Sequence, residues 1–363
     1  MLEHVEALAR EAFIPVAHKG EAGHVNRDLV SALGDSGLIA KVLAEGDVPA
    51  IELCLIREGL ARLSTHSETA FALQGLGAHP ILTAGHADIA AQWIPRVAAG
   101  DAVAGFALTE PGAGSDAGAI SLAAERDGND FVLTGEKTYI SNAPEADVYS
   151  VFARTTPGAG VRGITAFAVA GDSSGLGGES ISLLSDHAVG TLHFQKVRVP
   201  SSQVLGEVDA GFKVAMNTLD LFRPSVGAAA VGMAQAALEA AVAHVTTREA
   251  FGKRLSEFQG VSHQLADAAT KVQAARLLVH AAATAYDKGI RPSSESAAMA
   301  KLFATETAQE VIDVAIQVHG ARALEQGHLL EHLYRDVRAL RIYEGTSEIQ
   351  REIIARRLLR TAD

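Results

Sequence analysis

The sequence reads as an α+β protein with its helices and strands segregated into three consecutive parts, helical, then β, then helical. Three observations predict this. Apolar residues make up 48% of the 363-residue chain but aromatic residues only 5%, so the apolar content is aliphatic and Ala-rich, which suits helices packed closely on one another. Apolar positions recur at helical spacing in residues 1–102 and 209–363. Between them, in residues 103–208, short β-rich runs follow one another without intervening helices, which points to a mainly antiparallel β domain.

In the first part, Leu29, Val30, Leu33 and Leu38 share one spacing, and Ile51, Leu55, Ile56 and Leu60 another. Breaks are expected at Gly46, Pro49, Gly77, Pro80 and Gly100. In the second part, a turn at Asp127-Gly128-Asn129-Asp130 followed by Phe131-Val132-Leu133-Thr134 predicts a hairpin. Strands are expected at Val148–Ala153, Ile164–Val169, Ile181–Leu184 and Leu192–Val199. The apolar parity changes between Leu192/Phe194 and Val197/Val199, which predicts a bulge near Gln195-Lys196. In the third part, Leu265, Ala268, Val272, Ala275 and Val279 form one helix face, and Val311, Val314, Ala315 and Val318 form another.

Charge and cysteine content exclude several classes. A net charge of −12 without a basic run offers no footprint for nucleic acid or an anionic membrane surface. The single cysteine, Cys54, cannot form an internal disulfide, and it falls in an apolar run as a small core residue. No stretch reaches the ~20 uninterrupted apolar residues of a membrane span, and the first residues lack a signal-peptide pattern. A cytoplasmic protein without nucleic-acid or membrane partners is the expectation.

Two motifs mimic sites. Gly158-Ala159-Gly160-Val161-Arg162-Gly163 fits the dinucleotide fingerprint, but a strand pattern follows where the mechanism needs a helix; a hairpin loop is expected. His328-Leu329-Leu330-Glu331-His332 fits an inverted zinc-peptidase motif, yet nothing nearby supplies a third ligand. No metal is expected.

Three other segments carry chemistry. Thr109-Glu110-Pro111-Gly112-Ala113-Gly114-Ser115-Asp116 is a loop that exposes N–H groups and hydroxyls to a ligand. Gly135-Glu136-Lys137-Thr138-Tyr139-Ile140-Ser141-Asn142 follows. Ile342-Tyr343-Glu344-Gly345-Thr346-Ser347-Glu348-Ile349-Gln350 sets an acidic residue beside a glycine ahead of a new helix, an exposed base with Ser347 as expected N-cap. Together they resemble the acyl-CoA dehydrogenase family. Thr109–Asp116 resembles its first signature, Tyr139-Ile140-Ser141-Asn142 its W-[IV]-[ST]-N segment, and Tyr343–Thr346 its Y-E-G-T. Arg248-Glu249-Ala250-Phe251-Gly252-Lys253 resembles its R-x-x-F-G, and weaker matches at Val197–Pro200, Asp220…Arg223-Pro224 and Arg335-Asp336 fall in the same order. The chain departs from the family's Q-x-x-G-G-x-G, with Gln317-Val318-His319-Gly320-Ala321-Arg322-Ala323 in its place.

The resemblance implies an N-terminal helical domain over 1–102, a middle antiparallel β-barrel domain over 103–208 and a C-terminal four-helix bundle over 209–363. It implies an FAD-dependent oxidoreductase of fatty-acid metabolism that desaturates an acyl-CoA thioester at its α and β carbons. Glu344 would take the α-proton, and its backbone N–H would polarise the thioester oxygen. Phe106, Leu108, Thr109, Tyr139 and Ser141 would line the flavin, with Gly114 and Ser115 near its diphosphate or the CoA arm. Arg248, Phe251, Leu255 and Phe258 would reach the adenosine half of a flavin on the next subunit, with Gln317 and Gly320 nearby; Thr346 and Glu348 would follow the base onto the flavin. Asp220, Arg223 and Tyr343 would meet the CoA portion. Phe222 stands where some members carry their base, and its ring would shape the acyl pocket. A homotetramer, or at least a homodimer, and an electron-transfer flavoprotein as acceptor are further implications. Left open are an acyl-CoA oxidase, a dehydrogenase of carrier-protein thioesters, a non-catalytic flavin-binding scaffold, and the identity of the acyl group.

Overall fold

The computed structural model describes residues 1–44, 49–290 and 293–360; the break expected at Gly46 lies outside them. The first helices are α1 (Leu2–Leu8), α2 (Ile14–Ala17), α3 (Arg27–Asp35), α4 (Leu38–Val42), α5 (Ala50–Leu63), α6 (Thr65–Ala84) and α7 (Ala87–Ala98), with a π-helical turn joining α1 to α2. Strands β1 (Ala104–Ala107), β2 (Ala123–Asp127), β3 (Asp130–Ser141), β4 (Val148–Arg154), β5 (Ile164–Ala170), β6 (Leu176–Ser180), β7 (Val189–Pro200) and β8 (Val204–Leu205) follow. The long helix α8 (Gly211–Thr247) leads to β9 (Glu249–Ala250), β10 (Lys253–Arg254), α9 (Gln259–Asp287), α10 (Ser293–His319), α11 (Leu329–Leu340) and α12 (Ser347–Arg360). The helical–β–helical order read from the sequence is the observed one. Two compact units result: Met1–Arg10, Pro49–Glu68 and Asp220–Asp363 form the first, Glu11–Val48 and Thr69–Leu219 the second.

The first unit is a helical assembly whose small residues set the packing distance. A Cβ on Gly232 of α8 would fall 2.3 Å from the Glu58 carbonyl of α5, and one on Gly227 would fall 2.8 Å from Val279 of α9. Such close approach is what Ala- and Gly-rich faces allow. The face predicted on α9 is buried at Ala268, Val272, Ala275 and Val279. Polar groups at these crossings are paired: Arg276 donates to Glu58 Oε1 at 2.7 Å and to Gln235 Oε1 at 2.9 Å. Helix α8 is long and apolar enough to cross a membrane by length and composition, but 67% of its most apolar window is buried within the protein.

The second unit holds an eight-stranded sheet in the order β6-β7-β3-β2-β4-β5-β8, with β1 paired to β4. The sheet is mixed. Most pairs are antiparallel, while β1 and β2 run parallel to β4. The predicted hairpin is present, with Asp127 opposite Asp130 and Gly128 at φ 62° in the turn. The predicted bulge is present too: the register of β3 against β7 shifts between Leu133/Val197 and Gly135/Phe194, and Lys196 takes φ 57°. The dinucleotide-like glycines form a 3₁₀ turn between the antiparallel β4 and β5.

Two expectations are corrected. The strand expected at Ile181–Leu184 is absent; β6 lies earlier, at Leu176–Ser180, where two glycines carry no hydropathy signal. Backbone room decides its position, since a Cβ on Gly178 would sit 2.1 Å from the Thr191 carbonyl. Gly77 and Pro80 do not break α6, which runs through both. Gly77 instead lets the helix meet β1, because a Cβ there would fall 2.7 Å from the Gly105 nitrogen and 2.8 Å from the Ala104 carbonyl carbon. The Gly77 carbonyl accepts the Ser150 hydroxyl at 2.7 Å. The Gly77→Ala variant must therefore move backbone against backbone, and we expect it to lose about 1–3 kcal/mol despite Ala's better helix propensity, as read from the urea midpoint.

Candidate active site

Helix α11 gives way after Leu340 to a tight turn in which the N–H groups of Ile342 and Tyr343 both donate to the Ala339 carbonyl, at 2.9 and 3.1 Å. The chain then turns sharply into α12 through two consecutive left-handed residues, Glu344 at φ 52° and Gly345 at φ 93°. A left-handed glutamate costs about 1–2 kcal/mol, so surrounding contacts must hold it. Gly345 favours glycine because its φ is one that side chains rarely adopt, and a Cβ there would also press within 2.6 Å of the Gln350 amide nitrogen. The N-cap of α12 is Thr346, whose hydroxyl accepts from the Ile349 N–H at 3.3 Å. The expected cap, Ser347, is turned the other way and donates to Glu306 at 2.6 Å, because the tight turn delivers Thr346 one residue earlier to the open end of the helix.

The Glu344 carboxylate is half desolvated and one-sided. Its Oε2 is buried without a hydrogen-bond partner. Burial raises its pKa, against the opposing pull of Arg57, Lys301 and Arg223. Each cation comes from a different helix. Arg57 on α5 is 3% exposed; it donates to Glu68 at 2.6 Å and to the Ser225 hydroxyl at 2.8 Å. Lys301 on α10 is fully buried, and burial pushes its pKa down to about 8 against the attraction of Glu344. Arg223 on α8 pairs with Asp220 at 2.8 Å, and Asp220 also accepts the Ser294 hydroxyl at 2.6 Å. Phe222 is buried beside them, while Tyr343 remains 38% exposed. Asp220, Phe222, Arg223, Tyr343 and Glu344 are thus brought together, with Thr346 and the exposed Glu348 continuing into α12.

A second group lies at the far ends of α8 and α10. The Leu255 N–H donates to the Arg248 carbonyl at 2.9 Å, and the Phe251 and Phe258 rings meet edge to face at 6.3 Å. Phe251 stands 97% exposed at φ 54°. His244, one turn before Arg248, stacks on His319 at 4.2 Å, which brings the exposed Gln317 and Gly320 to the same end. Gly320 at φ 69° ends α10, and a 3₁₀ turn through Leu324 buries Ala323. The zinc-like histidines do other work: His328 Nδ1 accepts the Leu330 N–H at 3.1 Å, and His332 contacts the Thr65 hydroxyl at 2.6 Å.

In the second unit, β3 runs beside β1 and the segment after it. The Thr138 N–H donates to the Thr109 carbonyl at 3.0 Å, and the Asn142 amide donates to the Ala104 carbonyl at 2.8 Å. This lays Phe106, Leu108 and Thr109 along Tyr139 and Ser141. A second bulge between Lys137 and Ile140 puts Tyr139 at φ 53° and leaves its ring 62% exposed, the re-aiming that a bulge provides. Gly114 and Ser115 sit exposed on the adjoining loop.

That loop is pinned from beneath by a buried ion pair. Lys137, fully buried, donates to Glu110 Oε1 and to the Leu108 carbonyl, both at 2.8 Å. Glu110 also accepts the N–H groups of Ser121 and Leu122, at 2.6 and 2.9 Å. Burial would raise its pKa, but Lys137 and these N–H groups hold it low.

Arg57, Glu68 and Lys301 were not anticipated from the sequence, and Glu110, Lys137 and Gln350 lay within its motif segments without a role of their own. Two signals were legible. Arg57 falls on the buried face of α5 with Leu53, Ile56 and Leu60, and Lys137 is buried in β3 between the half-buried Glu136 and the buried Thr138. A charge placed on an apolar face implies a buried partner, but which partner is a matter of tertiary contact.

Three family models cover the chain almost end to end: acyl-CoA dehydrogenase, N-terminal domain, at residues 1–101; middle domain, at 105–197; and C-terminal domain, at 209–359. The cyclohexane-1-carbonyl-CoA dehydrogenase of Geobacter metallireducens is 36% identical over 99% of this chain and 97% of that protein. Subunit CarC of the caffeyl-CoA reductase-Etf complex of Acetobacterium woodii is 36% identical over 97% of this chain and 94% of its own length. The structure of butyryl-CoA dehydrogenase from Megasphaera elsdenii superposes with a TM-score of 0.92 at 31% identity, covering 99% of this chain and 97% of that one.

Removing one partner of a buried ion pair leaves an uncompensated charge. Lys137→Met should therefore cost about 3–5 kcal/mol, measured by denaturant unfolding.

Proposed function

Because the chain belongs to the acyl-CoA dehydrogenase family, FAD-dependent oxidoreductases acting on the CH–CH group of acyl-CoA thioesters, we propose that Glu344 is the base that removes the α-proton. The observation that carries this is the buried, unpartnered Oε2 of Glu344 on a left-handed turn. An orphaned buried acceptor costs about 1–3 kcal/mol, and a weakly acidic C–H needs such a poorly solvated carboxylate near its operating pH. Its backbone N–H would donate to the thioester oxygen, polarising the carbonyl and stabilising the charge that develops as the proton leaves. Asp220, Arg223 and Tyr343 would meet the CoA portion. Phe222 cannot accept a proton, and its ring would bound the acyl pocket.

Bound FAD would supply the acceptor for the β-hydride. The residues present fit it: a bulged strand at Tyr139 holds its ring exposed, an aromatic face that a planar heteroaromatic ligand would cover. Phe106, Leu108, Thr109 and Ser141 would complete that surface, with Gly114 and Ser115 toward the diphosphate or CoA arm. Arg248, Phe251, Leu255 and Phe258, with Gln317 and Gly320, would receive the adenosine half of a flavin held by another copy of the chain. Thr346 and Glu348 would reach the flavin from the base. This reading requires at least a homodimer and favours a homotetramer, with domains over 1–102, 103–208 and 209–363. An electron-transfer flavoprotein would be the acceptor, as the Etf complex of the A. woodii relative supports, in a cytoplasmic enzyme of fatty-acid metabolism.

Glu344→Gln keeps the size of the side chain and removes its basicity, so turnover of every acyl-CoA should fall by about 10³-fold with bound flavin retained at 450 nm. Unchanged turnover would reassign the base. A base acts when ionised, and burial raises the Glu344 pKa above the ordinary 4.5. In the native enzyme kcat/KM should accordingly rise with pH through a midpoint above that value, and be lost as pH falls through it.

A further inference from the structure

We propose that Lys301 and Gln350 are positioning residues that grip the Glu344–Gly345 turn by its two carbonyls, so that one clamp aims both the carboxylate and the backbone N–H of Glu344. The inference rests on Glu344 being the base. It comes from how the acceptors are filled. The Gly345 carbonyl receives Lys301 Nζ at 2.8 Å and Gln350 Nε2 at 2.9 Å. The Glu344 carbonyl receives Gln350 Nε2 at 3.2 Å and Arg223 Nε at 3.3 Å. Each oxygen thus has both lone pairs engaged, and the two peptide planes are turned toward the interior. Upstream, the N–H groups of Ile342 and Tyr343 are fixed on Ala339. With the chain held on both sides, the Cα of Glu344 has little freedom, and its side chain and N–H keep one relative orientation.

The choice of donors is informative. Both Lys301 and Gln350 are fully buried. The Gln350 amide holds the carbonyls without burying a charge, although its own Oε1 is buried without a partner, whereas Lys301 buries a full ammonium, the costlier donor. Lys301 is therefore retained for more than its hydrogen bond: its charge also acts on Glu344, the carboxylate it attracts most strongly. The groups that set the field at Glu344 are Arg57 and Glu68 from α5 and α6, Arg223 from α8 and Lys301 from α10. Of the three cations, Arg57 is paired to Glu68 and Arg223 to Asp220, whereas Lys301 Nζ donates to the Gly345 carbonyl and is drawn electrostatically by Glu344 ahead of Glu306 and Glu348.

The two residues can be separated by experiment on the FAD-loaded enzyme. Lys301→Met removes donor and charge at nearly constant length; Gln350→Met removes donors alone. Steady-state kinetics across pH would be read beside melting temperature and flavin content. For Lys301→Met we expect kcat to fall about 10–100-fold, KM to change less than about threefold, and the acid limb of kcat/KM to move up by about one pH unit. For Gln350→Met we expect the loss in kcat without the displacement. Wild-type kcat in either folded, flavin-replete variant overturns the clamp. So does a kcat loss in Lys301→Met with no displacement of the acid limb, which is what a purely structural lysine would give. Should Lys301→Met fail to fold, the kcat of Gln350→Met decides alone. Glu344→Gln serves as the separate control: if it retains turnover, the base assignment falls, whatever the two clamp variants do.

Discussion

A carboxylate oxygen that water cannot reach and no donor satisfies imposes its demands on the whole first unit. Leaving Glu344 Oε2 buried is unfavourable, and leaving it buried as an anion more so. Three helices compensate with cations, Arg57 from α5, Arg223 from α8 and Lys301 from α10. Those cations in turn need partners, which explains Glu68 behind Arg57 and Asp220 behind Arg223. Burying such pairs without strain requires helices packed closely enough to exclude water, and the glycines at 227 and 232 supply that closeness. The balance of desolvation against three positive charges keeps the carboxylate weakly basic instead of inert.

The second unit solves a related problem with one pair. Glu110 and Lys137 neutralise each other in the interior and spend their remaining hydrogen-bonding capacity on backbone groups of the Gly-rich loop and its neighbour. The loop can then keep its tip open. Backbone strain is concentrated in the same places. Tyr139, Phe251 and Glu344 are three of the six non-glycine residues with positive φ among the described residues, and each is a residue assigned to ligand or base. Such conformations persist only where the surroundings over-determine them. A bulge does so for Tyr139, a two-residue turn between β9 and β10 for Phe251, and the carbonyl clamp for Glu344.

Much of the fold was legible in the amino-acid order because local patterns express it. Helical spacing marked α3, α5, α9 and α10, the Gly128-Asn129 pair marked its hairpin, and a parity change marked the bulge at Lys196. Where the local signal failed, the deciding contact was distant. Gly77 looks like a break until β1 is seen against it, and β6 has too few side chains to announce itself. Within the site, Glu344, Tyr139, Arg248 and the 109–116 loop stood out through their motifs. Arg57, Glu68 and Lys301 did not, and the roles of Glu110, Lys137 and Gln350 inside the motif segments stayed hidden, since an isolated charge or amide does not reveal its partner.

The sequence by itself determined the segregation of helices from strands, the family, and the residue types of the reaction, because these rest on periodicity and on short contiguous motifs. Tertiary structure decided how the base is tuned and held. Arg57 and Lys301 stand 244 residues apart in the chain, and only folding makes both of them neighbours of one carboxylate. Coulombic and desolvation energies depend on distance and burial in space, quantities that no local stretch of sequence contains.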